Sequence, residues 1–234
     1  TLFRSHAAAG ICGMSGTVVG SINHCISIAT IDTAENDAYL AGITNSRDSD
    51  ATNCYFNKDI CKADDECNLG CTTLQLTSSS FFKELKDNGF DRAIWTKKAN
   101  NKENGIAYYP SLGENNAVGV NYTTGLQFER ADDAMPIYGQ DITFKVKALV
   151  NFATDGQPIS ATDGQPISAE DTEGSFEIRI GDTPVVSAAD FKNGIATYKA
   201  QTVGDTTFTL VYTGTNSSFF PEQTTKDLTD RKSV

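Results

Sequence analysis

Ser175-Phe176-Glu177-Ile178-Arg179-Ile180, Gly181-Asp182, Asn193-Gly194-Ile195-Ala196-Thr197-Tyr198, Gly204-Asp205, Phe208-Thr209-Leu210-Val211-Tyr212-Thr213-Gly214 and Phe219-Phe220-Pro221 follow one another between Gly174 and Pro221. Phe176, Ile178 and Ile180 alternate with polar neighbours, as do Phe208, Leu210 and Tyr212, so each run is expected to turn one face to a core and one to water. Asn193-Gly194 sits where a hairpin needs positive φ. Upstream, Leu126 and Phe128 alternate with Gln127 and Glu129, and Ile142, Phe144, Val146 and Ala148 alternate with Thr143, Lys145 and Lys147. These runs predict the first strands of the same all-β unit.

In this order the stretch resembles the Ig-like repeat domains of large bacterial surface and secreted proteins, over about residues 122–225. The resemblance implies an immunoglobulin-like β-sandwich that acts as a spacer or an adhesive module.

The N-terminal half repeats itself. Ala9-Gly10-Ile11 followed by Asn23-His24-Cys25 is echoed by Ala41-Gly42-Ile43 followed by Asn53-Cys54, with an offset of 32 residues at the alanines and 29 at the cysteines. A period near 30 with a Gly-Ile entry and a cysteine exit marks stacked coils or small all-β repeats. Gly10-Ile11-Cys12-Gly13, Gly16 to Cys25 and Asn53 to Asp59 resemble the last coils of the GLUG-repeat surface proteins of bacteria. Thr72 to Thr77, Phe81 to Leu85, Phe90, Ile94-Trp95 and Gly105 to Leu112 follow the order of that family's closing segment, so the resemblance covers about residues 9–112. It implies the end of a β-solenoid with a small α/β cap. The segment Cys61 to Cys71, which carries Cys67 between them, departs from the family, where a Gly-rich loop is usual.

Read on its own residues, Thr72-Thr73-Leu74-Gln75 is a capping box opening a short helical turn, and Ser78 to Asn88 is a second short helix ended by Gly89 with Phe81, Phe82 and Leu85 as its buried stripe. Ile94 to Thr96 and Ile106 to Tyr109 read as a strand pair, and Ser111 to Tyr122, rich in Gly and Asn, as a linker. The expected domains are 1–113, the repeat end with its cap, and 122–234, the sandwich. An exact tandem copy, Ala153 to Ser160 and Ala161 to Ser168, falls between strands. Lengthening a loop costs roughly 0.6 kcal/mol per doubling, which places the copy on an exposed loop.

The 30 acidic and 19 basic residues give a net charge of −11. That field repels phosphate backbones, and no Lys/Arg cluster offsets it, so nucleic acid is excluded as a partner. No apolar run of about 18 or more residues exists, so no membrane insertion is expected within this piece. The chain opens at Thr1 without an initiator Met or a leader, which reads as a fragment or processed piece of a longer protein. Asn121-Tyr122-Thr123 and Asn216-Ser217-Ser218 match the N-glycosylation pattern, which carries weight only in a eukaryotic secretory pathway.

Catalysis needs converging groups, and the residues offer few. His6 and His24 are the two histidines. His24 beside Cys25 suggests a base and a nucleophile, but adjacent side chains on a strand point to opposite faces. Asp64-Asp65-Glu66 lacks the spacing of a calcium loop and reads as a solvated turn. Cys61, Cys67 and Cys71 lack the knuckle of a structural zinc site, so a disulfide within this cluster is the better reading, stapling a loop without a core of its own. Cys25 and Cys54 hold equivalent places, where stacking about 4.8 Å apart suits an inward ladder of thiols as well as a bond. Trp95, Tyr108 and Tyr109 offer flat faces for stacking on a sugar, although their place among Ile94, Ile106 and Leu112 favours a core role. The expectation is a non-enzymatic, extracellular or cell-surface piece of a bacterial protein with a structural or adhesive role, no cofactor, no metal, and an unknown protein or glycan ligand. The alternative is a carbohydrate-binding or accessory region of a secreted glycan-degrading enzyme.

Overall fold

The computed structural model describes residues 7–9, 21–29, 39–41, 43, 50–61, 69–131, 138–153, 167–201 and 205–230. The described chain is all-β with few short helices. It divides into two compact units, the first taking in residues 1–99 and 107–120, the second 100–106, 121–153 and 157–234.

The first unit is built from short strands, β1 (Ala7–Ala9), β2 (Ser21–Asn23), β3 (Ile26–Ser27), β4 (Tyr39–Ala41), β5 (Asp50–Thr52), β6 (Tyr55–Asn57) and β7 (Leu69–Cys71). They pair in parallel: Ala9 lies opposite Ala41, Asn23 opposite Thr52, and Ile26 opposite Tyr55. These registers are the offsets of 32 and 29 residues read from the sequence. β7 extends the last pair in parallel beside β6. Between strands the chain turns at His24 and Asn53, whose φ angles of 55° and 52° lie in the left-handed region. Asn tolerates that region better than most residues. The equivalence is thus His24 with Asn53, while Asn23 meets Thr52, whose hydroxyl donates to the Asn23 Oδ1. Ile43, Cys54, Phe56 and Cys61 form the enclosed core, with Ile22 and Cys25 packed against it.

Helices α1 (Thr73–Thr77) and α2 (Ser79–Asp87) follow. The capping box is complete: Gln75 N donates to Thr72 Oγ1 at 3.1 Å, and Thr72 N donates to Gln75 Oε1 at 2.8 Å. Ser78 caps α2 by accepting from Phe81 N at 3.1 Å. Leu76, Phe81 and Leu85 are buried, and the Phe81 ring meets Tyr55 edge-on at 5.0 Å. Phe82, expected in the buried stripe, is only half-buried and lies under the Lys86 ammonium at 4.3 Å.

Beyond α2 come β8 (Trp95–Thr96), β9 (Ile106–Tyr108) and β10 (Ser111–Leu112). Here the expected pairing of 94–96 with 106–109 is corrected: β8 pairs with β10, and Ile106 instead bridges Asn101. The physical reason is local, because the close turn ending at Gly105 (φ 61°) brings Asn101, not Thr96, opposite Ile106. The stretch read as a linker is also structured. It holds β10, a 3-10 turn at Glu114–Asn116, and the start of β11 (Gly119–Arg130).

The second unit adds β12 (Asp141–Phe152), β13 (Ile167–Glu170), β14 (Ser175–Ile180), β15 (Thr183–Val186), β16 (Ile195–Lys199), β17 (Thr206–Thr213) and β18 (Gln223–Asp230). β12 pairs antiparallel with β11 on one side and with β16 and β13 on the other. A second antiparallel sheet runs β15-β14-β17-β18. The two meet through inward aromatic side chains, Phe144 against Phe208 at 4.9 Å and Tyr198 against Phe208 at 5.6 Å. Every apolar residue used to predict β12 is buried, as are Leu126, Phe128, Ile178, Phe208, Leu210 and Tyr212. The turn at Asn193-Gly194 has both residues at positive φ, 52° and 70°. A Cβ at Gly194 would stand 2.5 Å from the Val146 carbonyl oxygen, so this turn needs glycine for space as well as for φ. Residues 154–166 of the tandem copy lie outside the described residues, whereas Ile167 and Ser168 open β13.

Candidate functional site

A cleft of about 390 Å³ opens in the first unit where the strands meet the helices, lined by Tyr55, Gly70, Cys71, Gln75, Ser78, Ser80, Phe81 and Glu84. β6 and β7 supply its floor. Gly70 lets β7 close on β6, since a Cβ there would come within 2.9 Å of the Phe56 ring. α2 supplies one wall, with Ser80 and Glu84 one turn apart on the same face. The Tyr55 hydroxyl, held by Asn88 Nδ2 at 2.8 Å, has its ionisation pushed up by burial.

The electrostatics of this cleft bear on its chemistry. Burial, and after it the carboxylate of Glu84, push the Cys71 thiol up to about 11. At neutral pH it is a neutral thiol and no nucleophile. Ser78 Oγ already donates to Gln75 O at 2.8 Å and accepts from Phe81 N, so its hydroxyl is engaged in capping. Glu84 is the one carboxylate of the described lining, and its charge opposes ionisation of the neighbouring thiol.

The sequence-predicted residues are distributed as follows. His24 packs edge-on to Phe90 at 5.0 Å, with Nε2 3.4 Å from Asn53 Nδ2, while Cys25 Sγ donates to Asn23 O. Cys61 is buried in the enclosed core at 2% exposure, and Cys71 is half-buried on β7 facing the cleft. Cys25, Cys54, Cys61 and Cys71 are present as thiols. His6, Cys12, Cys67 and Asp64 to Glu66 lie outside the described residues. Among the described residues no three His, Cys, Asp or Glu side chains converge to hold a metal ion.

Trp95 and Tyr108 are half-buried and Tyr109 is buried. The Tyr109 hydroxyl accepts from Asn57 Nδ2 at 3.0 Å. Trp95 packs on Phe90 at 5.1 Å, and the face of Tyr108 is taken by the Lys98 ammonium at 4.6 Å. The aromatics that border the cleft, Tyr55 and Phe81, are buried core residues, and Phe81 was read as such from the helical stripe. Ser78-Ser79-Ser80 capping a helix with Glu84 one turn on was the available signal for the cleft.

Compared with protein-family models, curated proteins and solved structures, the chain matches none. No helix among the described residues is long and apolar enough to cross a membrane.

Proposed function

We propose that this chain is a non-catalytic part of a bacterial cell-surface or secreted protein: the end of a β-solenoid closed by the α1–α2 cap, then an immunoglobulin-like β-sandwich, together spacing or displaying an adhesive surface. The observation that carries the reading is the parallel register, in which strands 32 and 29 residues apart lie side by side as successive coils would. A stack of coils ends in unpaired strand edges and an apolar core, and a short helical cap over β6 and β7 answers that need. The two aromatic-packed antiparallel sheets support the sandwich. A cleft thiol held neutral at neutral pH supports a binding role over a catalytic one.

The second reading, an accessory region of a secreted glycan-degrading enzyme, draws on one observation, the hydroxyl-lined cleft. Antibodies raised against the purified chain test the location. Labelling of intact cells of the source organism, or of their culture medium, is expected. Labelling only after permeabilisation would overturn the extracellular reading.

A further inference from the structure

We infer that Cys25 and Cys54 are a disulfide-forming pair, a covalent staple across two successive coils of the first unit, closed when the chain meets a small-molecule disulfide as oxidant. Asn23 lies opposite Thr52 and Ile26 opposite Tyr55, so Cys25 and Cys54, which follow and precede those pairs, stand opposite each other. Tyr55 N donates to the Cys25 carbonyl at 2.9 Å, which holds the two backbones at the strand spacing of about 4.8 Å. Disulfides join Cα atoms about 4.4–6.8 Å apart, so the spacing admits the bond. Cys71, by contrast, stands opposite Asn57 and faces the cleft. A staple has work to do here, because β2 and β5 share three residue pairs and β3 and β6 only two.

The side chains agree with the register. Each cysteine follows a residue bent through the left-handed region, His24 or Asn53, and each sulfur turns to the carbonyl two residues back, Asn23 O or Thr52 O, at 3.3 Å. Both belong to one packed cluster, in which Cys25 lies against the core of Ile43, Cys54, Phe56 and Cys61. Cys54 Sγ is also 3.4 Å from Ile22 O, a carbonyl of the coil that carries Cys25, so it leans across the gap between coils. Equivalent Cβ atoms on parallel strands stand slightly farther apart than the roughly 3.5–4.5 Å of a disulfide, so closure draws the coils together a little and turns one side chain about χ1. Cys25 is half-buried and Cys54 is 3% exposed, which sets the order of events. The Cys25 thiolate attacks one sulfur of the small disulfide and displaces a thiolate; Cys54 then attacks the Cys25 sulfur and displaces the second. The two cysteine protons pass to the two departing thiolates, so the chain is oxidised by two electrons and the small disulfide is reduced to two thiols.

The inference rests on the extracellular reading for its oxidising setting. The bond itself is tested on purified protein and is independent of location. The full chain is treated with oxidised glutathione at about pH 8, where thiols exchange readily, then alkylated, digested without reduction and mapped by mass spectrometry. A peptide joining Cys25 to Cys54 is expected as the main cross-link. The thermal transition followed by Trp95 is expected to rise by about 5 °C or more over the reduced chain, since the bond closes a long loop. Cys25→Ser is expected to lose both the cross-link and the rise. The map of the unaltered chain needs no variant, so it decides even if Cys25→Ser folds poorly. Recovery of Cys25 and Cys54 as alkylated thiols, Cys25 held only as its glutathione adduct, or Cys54 joined to Cys61 or to any other cysteine would each overturn the assignment, leaving the surface-labelling result untouched.

Discussion

Asn57 and Cys71, opposite each other at one end of the β6–β7 pairing, show how single residues in the first unit are held. Asn57 is fully buried, and its amide is fully used: Nδ2 donates to Thr73 Oγ1 at 2.9 Å and to the Tyr109 hydroxyl, and Oδ1 accepts from Asp59 N at 3.0 Å. One polar side chain thereby fixes a strand, a helix start and the Tyr109 ring, which explains a buried Asn in a strand whose other residues are aromatic. Cys71 is held neutral by burial and by Glu84, which makes the stability of this unit pH-dependent. Its ordinary value of 9.0 is raised to about 11, so above about pH 9 the unfolded chain releases a proton that the folded chain keeps. Stability is therefore fully present below pH 9 and declines as pH rises through about 11. Urea midpoints followed by Trp95 fluorescence between pH 7 and 11 should fall across this window, and Cys71→Ala should flatten the decline. A midpoint flat to pH 11, or an identical decline in the variant, would show that Cys71 is not the group involved.

At the scale of elements, the second unit is closed along one flank by two polar ties. Arg130 on β11 pairs with buried Asp230 on β18 at 2.9 Å, and Lys226 on β18 donates to the Leu126 carbonyl at 2.7 Å. A loop tie complements them. Ser217 Oγ accepts from Phe219 N and Phe220 N and donates to Asp171, while Lys102 donates to the carbonyls of Ser217 and Phe220. At the entry to β14, Gly174 N donates to the Tyr212 hydroxyl at 2.8 Å, and a Cβ there would stand 2.4 Å from the same ring. A Cβ there would also stand 2.6 Å from the Thr213 carbonyl oxygen, so Gly174→Ala is expected to cost about 1–3 kcal/mol, read as a lowered calorimetric transition of the second unit. An unchanged transition would contradict this close packing. These strands were legible because alternation is a period-2 signal that burial on one face enforces, as Ile142 to Ala148 show. The ties were not, since Arg130 and Asp230 are 100 residues apart and no local pattern joins them. The β8–β10 pairing was missed for a related reason. Trp95 and Ile106 carry equal strand character, and only the turn at Gly105 decides which segment Ile106 faces.

At the scale of the whole molecule, two compact units divide the stabilising contacts, and the sole tryptophan, Trp95, lies in the first. Its fluorescence is thus a reporter of one unit, and Gly174→Ala should leave its transition in place. The repeat in the first unit was legible at its offsets. The 29-residue step between Cys25 and Cys54 sets His24 against Asn53, and both bend through the left-handed region although the residue type differs. The cleft was invisible to sequence because its wall and floor come from separate segments. The central claim is that the 32- and 29-residue offsets are a parallel stack of coils. It is tested most directly by NMR contacts across the strands. Sequential amide-to-Hα contacts linking Ile26 with Tyr55 and Ile22 with Ala51, without close Hα–Hα pairs, are expected of parallel in-register strands. Close Hα–Hα pairs of an antiparallel ladder, or contacts shifted by one residue, would contradict it.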